Sequence, residues 1–177
     1  LVQKVGSIAI QITIGLTQGI MPLLGYAYGS NDIKKFKAVN NFSFILLACY
    51  AAICLVLVEI FAQPFLKLFT SEVNTVNKGI DFIRIWFLCA PGMCFTNLFG
   101  SIFQATGKWF YSFILSVIRQ VGLLFPLLLI MNKYVGEFGL VCAQPISDTI
   151  SLFIGIALYA VLMKRINHME MRKINEN

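Results

Sequence analysis

Five stretches of this chain, residues 5–28, 41–63, 82–105, 109–131 and 138–163, are each long and apolar enough to cross a hydrocarbon core, which takes about 20 residues of helix. That feature decides the class of fold. A segment surrounded by lipid must satisfy its own backbone amides, so runs of this length are read as helices. Composition agrees: 58% of the residues are hydrophobic and 12% charged, against about 25% charged in soluble domains. The expectation is an all-α, polytopic membrane helical bundle of about five transmembrane helices over residues 1–163, followed by a polar tail at 164–177.

The connections carry turn and cap chemistry. Ser30 to Lys37 joins a helix stop to three lysines, and Thr106-Gly107-Lys108 is a minimal turn. Pro64 to Asp81 is longer and includes Thr70-Ser71-Glu72-Val73, where Thr70 or Ser71 is placed to cap a short surface helix. Five spans put alternate connections on opposite sides. One side holds Lys34, Lys35, Lys37, Lys108, Lys164, Arg165, Arg172 and Lys173; the other holds Lys4, Lys67, Lys78, Arg84 and Lys133. The excess of eight to five places the first and third loops and the tail in the cytoplasm. A chain that opens at Leu1, with no basic region before a short apolar core, is expected to carry no signal peptide and to lack an upstream part.

Several chemistries find no footing. The net charge of +6 comes from cations between apolar runs rather than from a patch interleaved with aromatics, so nucleic acid is not an expected partner. Cys49, Cys54, Cys89, Cys94 and Cys142 all sit inside apolar runs without the spacing of a zinc or redox pair, and are read as buried, inert thiols. His168 lies in the charged tail, leaving nothing on which to build a metal site. No nucleophile elbow or phosphate-binding loop is present, and no catalytic residue is assigned.

The first span carries a stripe that a lipid-facing helix would avoid. Gln11, Gly15, Gln18, Pro22, Gly25, Tyr26 and Gly29 fall on one side of a helix, within about 60° of a common line. Such a face suits either a helix-packing seam or the wall of a water-filled path. Pro22 cannot donate to the fourth carbonyl before it, so a kink is expected there. Gly15, Gly19, Pro22 and Gly25 are assigned to close packing and bending, and Gln18 and Tyr26 to a cavity.

Two charges lie deep in spans. Arg119 is about 15 Å along the fourth span and Asp148 about 15 Å along the fifth, counted from opposite ends, so they reach similar depth. A charge at mid-membrane costs about 2.5–3.5 kcal/mol on insertion scales and faces a bundle interior, a cavity or a partner. An Arg119–Asp148 ion pair between adjacent antiparallel helices is one reading; a direct coupling-ion or substrate role for Asp148 is the other. Glu59, near the outer end of span two, either reaches the interface or binds a proton. Span two otherwise offers no chemistry. Polar or small stripes recur at Ser112, Ser116, Arg119 and Pro126, at Gln144, Asp148, Ser151 and Gly155, and at Asn97, Ser101 and Gln104. Stripes on four of five spans favour an internal polar cavity, with Gln104 and Asp148 among its lining.

Gly15-x-x-Gln18-x-x-x-Pro22-x-x-Gly25-Tyr26-x-Tyr28-Gly29, then Phe103-Gln-Ala-x-Gly-Lys108, then Ser116-x-x-Arg119-Gln120 with Pro126, then Ala143-x-Pro145-x-x-Asp148, resemble in order the multidrug and toxic compound extrusion (MATE) transporters, nearest the bacterial DinF-like and MepA-like branch. The resemblance implies the last five helices of a twelve-helix, two-lobe transporter whose N-terminal lobe is the missing partner. It also implies cation-coupled antiport, with sodium ions or protons as the coupling ion and no other cofactor. Two departures stand out. Ala27 occupies the place where the family often has Asn, and no acid lies between Cys89 and Gln104, which moves the expected coupling site to the N-terminal lobe.

The expected function is therefore secondary active efflux of cationic or amphipathic small molecules across a bacterial plasma membrane, with the C-terminus cytoplasmic. Met93, Phe95 and Phe99 are either greasy-cation contacts or ordinary core. Rival readings are a lipid-linked oligosaccharide flippase, which would need more cations around its cavity than Arg119, and a structural or channel-like subunit without a pumping cycle.

Overall fold

A computed structural model describes the backbone of residues 2–67, 83–84, 87, 90–135 and 137–176. Among these residues the chain is helical, with no strand: α1 (Val2–Gly29), α2 (Ile33–Lys67), α3 (Ala90–Ala105), α4 (Trp109–Val117), a π-helical segment (Ile118–Leu124), α5 (Phe125–Val135) and α6 (Glu137–Glu176). α4, the π segment and α5 follow one another as the fourth predicted span. The stretches Ser7–Gly29, Ile33–Ile60, Trp109–Lys133 and Cys142–His168 are long and apolar enough to cross a bilayer. The cap at Thr70 and Ser71, and Phe82, Ile85, Trp86, Leu88 and Cys89 of the third predicted span, lie outside the described residues.

Two tight turns bring helix ends together. Asn31, at φ 58°, takes the left-handed conformation that closes α1, and the Asp32 amide donates to the Ala27 carbonyl at 3.1 Å; an Asn side chain tolerates this region better than most. Asp32 then starts α2, its carboxylate accepting the Lys35 amide at 3.0 Å and pairing with Lys35 Nζ at 3.2 Å. The amide bond, followed by the lysine side chain, holds the Asp32 carboxyl below the usual carboxylate range. Gly107, at φ 70°, closes α3, with the Lys108 amide reaching back to the Phe103 carbonyl at 2.8 Å. Helix lengths exceed two of the expected spans. α2 begins about two turns before residue 41, and α6 continues through the expected tail to Glu176.

α3 is the hub, packing against α1, α2, α4 and α6. It buries Met93, Cys94, Thr96, Leu98, Phe99, Ile102 and Phe103, while Ile20 and Leu24 of α1, Phe36 and Leu47 of α2, Leu115 of α4 and Leu162 of α6 complete the core around it. Phe44, Phe95, Phe99 and Tyr159 form an aromatic knot with centroids 5.2–5.9 Å apart. The Asn40 amide donates to the Tyr159 hydroxyl at 2.6 Å, tying α2 to α6. Met93 and Phe99 are thus core residues. Outside this core a belt of exposed large apolar side chains, among them Ile45, Val56, Val121, Leu129 and Phe153, faces outward on every long helix, as a lipid solvent requires. Cys49 belongs to that exposed surface, which corrects the expectation that all the thiols are buried; Cys54 and Cys94 are interior. Glu59 pairs with Arg84 at 2.8 Å, both well exposed.

Candidate functional site

Where α1, α3 and the α4–π rod diverge they enclose a polar cavity of about 180 Å³. α3 supplies one wall through Thr96, Asn97, Ser101 and Gln104, and α4 another through Ser112 and Ser116. Thr17, Gln18 and Met21 of α1 form a third, and Arg119 of the π segment is the one charged residue in the lining. Gln18, Gln104 and Ser116 are exposed, whereas Thr17, Thr96 and Ser112 are buried. The cavity therefore has an open side and a floor.

The hydrogen bonds give the walls different characters. Thr17 Oγ1 donates to the Thr13 and Ile14 carbonyls at 3.0 Å, Thr96 Oγ1 to the Gly92 carbonyl at 2.8 Å, and Asn97 Nδ2 to the Met93 carbonyl at 3.0 Å. Each spends donors on its own helix, a habit of Ser, Thr and Asn within helices. Lone pairs are left for the cavity. Gln104 Nε2 donates to Ser112 Oγ at 2.9 Å, spanning α3 and α4 and leaving the serine proton and the glutamine carbonyl uncommitted.

Arg119 is held twice by consecutive residues of α6. Its Nε donates to Asp148 Oδ1 at 2.8 Å, and its backbone carbonyl accepts Ser147 Oγ at 2.9 Å. The side chains are 12% and 3% exposed, so the pair is a buried one. Desolvation makes such pairs costly to form and costlier to break. Arg119 lies within the π segment. Its wider turn ends where the Phe125 amide reaches the Gln120 carbonyl, just before Pro126, which has no N–H to continue an α-helical ladder there.

The sequence-assigned residues separate into three groups. Gln18 and Gln104 line the cavity together with Asn97, Ser101, Ser112, Ser116 and Arg119. Asp148 is sealed behind Arg119 at 2% exposure. Ser151 and Gly155 are buried on the same side of α6, and that stripe is a seam on α3: a Cβ at Gly92 would touch the Asp148 carbonyl at 3.8 Å, and one at Gly155 would meet Phe99 at 2.6 Å. Tyr26, 74% exposed, stands outside the cavity. Of the described α1 glycines only Gly25 comes close to another helix, where an added Cβ would lie 3.6 Å from the Ala105 carbonyl; Cβ atoms at Gly15 and Gly19 would meet nothing within 4 Å. α1 runs through Pro22 without a break. Sequence reading missed Thr13, Thr17, Thr96 and Ser147, because isolated hydroxyls among apolar neighbours form no visible stripe. The spacing of Thr13 and Thr17 with the buried Ile20, Leu24 and Ala27 was the available signal.

The fold defines a helical bundle with a polar interior, four of whose stretches are long and apolar enough to cross a membrane. The chain belongs to the MatE family, whose model matches residues 1–130. It is 28% identical over 155 residues to the probable multidrug resistance protein YoeA of Bacillus subtilis, covering 85% of this chain and 33% of that protein. It is also 25% identical over 157 residues to the multidrug export protein MepA of Staphylococcus haemolyticus, covering 88% and 34%. Among solved structures, the MATE multidrug transporter DinF-BH in complex with R6G superposes with a TM-score of 0.82 at 26% identity, over 89% of this chain and 35% of that one. An inward-facing MATE family transporter of the MOP superfamily superposes with 0.84 at 17% identity, over 94% and 39%, and shares the fold. The chain spans about a third of the length of the relatives it matches.

Proposed function

We propose that this chain forms part of the C-terminal lobe of a secondary active exporter that expels amphipathic or cationic small molecules in exchange for sodium ions or protons. The observation that carries the reading is the orientation of α1. Its inner face is Thr13, Thr17, Ile20, Leu24 and Ala27, and its outer side presents Gln11, Gly15, Gly19, Pro22, Tyr26 and Gly29 beside the exposed Ile8, Ile12 and Leu23, with Gln18 at the mouth of the cavity. A helix that turns an amide, three glycines and a proline away from its own bundle suits a wet neighbour better than hydrocarbon. It fits a water-filled cleft facing a second lobe. Gly19 and Pro22 then let α1 flex as the lobes rock, and the N-terminal lobe carries the coupling site.

Export by alternating access needs no covalent chemistry, in keeping with relatives named as a probable multidrug resistance protein and a multidrug export protein. The proposed setting is a bacterial plasma membrane with the first loop, the third loop and the C-terminus in the cytoplasm, supported by the lysines and arginines of those segments. A flippase for pyrophosphate-linked sugars is disfavoured by the single cation lining the cavity among the described residues. The test is ethidium efflux from vesicles holding the full-length protein, with sodium and proton gradients imposed separately. Flux that follows one gradient supports the reading and names the ion; ethidium movement indifferent to both removes it.

A further inference from the structure

The cavity inside the lobe is too small for a drug-sized ligand, whose pockets run to about 300–1,000 Å³, yet it is far more polar than a packing void. At about 180 Å³ it has room for a handful of non-hydrogen atoms, a water occupying about 30 Å³ of liquid. Its walls are chemically opposed. Thr17 and Thr96 have spent their only side-chain donors on their own helices, and Asn97 one of its two N–H groups, so that side offers mainly lone pairs. Arg119 has committed Nε to Asp148 and keeps four further N–H groups, while the Ser112 proton is uncommitted. That side donates.

Charge narrows the choice further. Arg119 and Asp148 together add no net charge to the bilayer interior, so a lone anion would share its arginine with a carboxylate already in place. A lone cation would face the guanidinium with no acid in the lining. A ligand that is itself neutral overall, with an anionic end for Arg119 and an N–H-rich end for the opposite wall, adds no net charge and matches both sides. We infer that this cavity is a binding site for a small zwitterion, an ammonium carboxylate of roughly five to eight non-hydrogen atoms by the same volume scale, distinct from the cleft that would take the drug. Its carboxylate lies on the free guanidinium nitrogens and Ser112, and its ammonium on Asn97 Oδ1, Thr17 and Thr96. Ligand enters past Gln18 and Gln104.

The inference rests on the transport reading only for the route by which a ligand arrives, and its test uses no gradient. The native protein in nanodiscs is titrated with glycine, β-alanine and γ-aminobutyrate, and with acetate and methylammonium as the separate halves, with binding read by saturation-transfer NMR. At least one amino acid is expected to bind tenfold or more tightly than either half. Ser101→Leu, which puts a bulky apolar side chain into the cavity and leaves Arg119 and Asp148 themselves unchanged, is expected to weaken that binding at least tenfold while leaving the thermal unfolding midpoint near the parent's. Halves that bind as well as the best amino acid, no binding by any of the three, or unchanged binding in Ser101→Leu would each overturn the site. Loss of ethidium flux with zwitterion binding intact would instead count against the transport reading alone.

Discussion

Arg119 shows how one buried charge is made tolerable: a carboxylate on its side chain, a hydroxyl on its carbonyl, both from adjacent positions of α6. Removing either member of the pair strands the other in a low-dielectric interior, which costs about 3–5 kcal/mol where such pairs have been broken. Arg119→Gln and Asp148→Asn are each expected to destabilise by about that amount in denaturant unfolding from detergent micelles. The double variant should lose clearly less than the sum, since neither partner is then left charged. Additive losses would show that the two groups do not depend on each other. Asp32 behaves differently because it is a surface group. Its carboxyl is held low by the Lys35 amide and side chain, so its contribution to the start of α2 is present above the ordinary carboxylate pKa of about 3.9 and fades as pH falls through the lower folded value. The Lys35 amide resonance should shift with pH only below the usual carboxylate range, and Asp32→Asn should abolish that shift.

At the level of elements, α3 owes its central place to being apolar on most sides and small where neighbours come close. Among the described glycines, Gly155 of α6 makes the tightest approach onto α3. A Cβ at Gly155 would lie 2.6 Å from the ring of Phe99, which is 3% exposed and packed against Phe44 and Tyr159. Gly155→Ala is therefore expected to cost about 1–3 kcal/mol, the usual range for overpacking. Trimming the ring in a Phe99→Leu, Gly155→Ala double variant should recover part of it; the measurement is the unfolding midpoint of the three variants. Gly139 is more constrained still, because a Cβ there would sit 2.5 Å from the backbone carbonyl of Met131. Backbone cannot swing aside as a ring can. Gly139→Ala should be the more damaging of the two substitutions in the same assay.

For the whole molecule, the decisive property is which way α1 faces. Cysteine at Gly15 or Gly19, on the outward side of α1, should react with a membrane-impermeant maleimide in the full-length protein if that face borders water, while cysteine at Leu24, 0% exposed, should stay unlabelled. Protection of all three positions would place lipid or dry protein against the stripe. Much of this architecture was readable from the chain itself. The apolar runs dictated helices because lipid offers the backbone no other partner, and the spacing of Arg119 and Asp148 put them at one depth because helix rise is constant. Turn chemistry at Asn31 to Asp32 and at Gly107 followed from residue type. Periodicity names the residues that share a face but not what that face meets, and so the stripe on α6 became a buried seam while those on α3 and α4 opened into a cavity. Only the packing of α3 between α1, α4 and α6 decided that Gln18 and Gln104 line one cavity, that Asp148 lies behind its arginine, and that threonines unremarkable in sequence sit in the interior. Burial depends on contacts between helices far apart in the chain, and no local pattern encodes them.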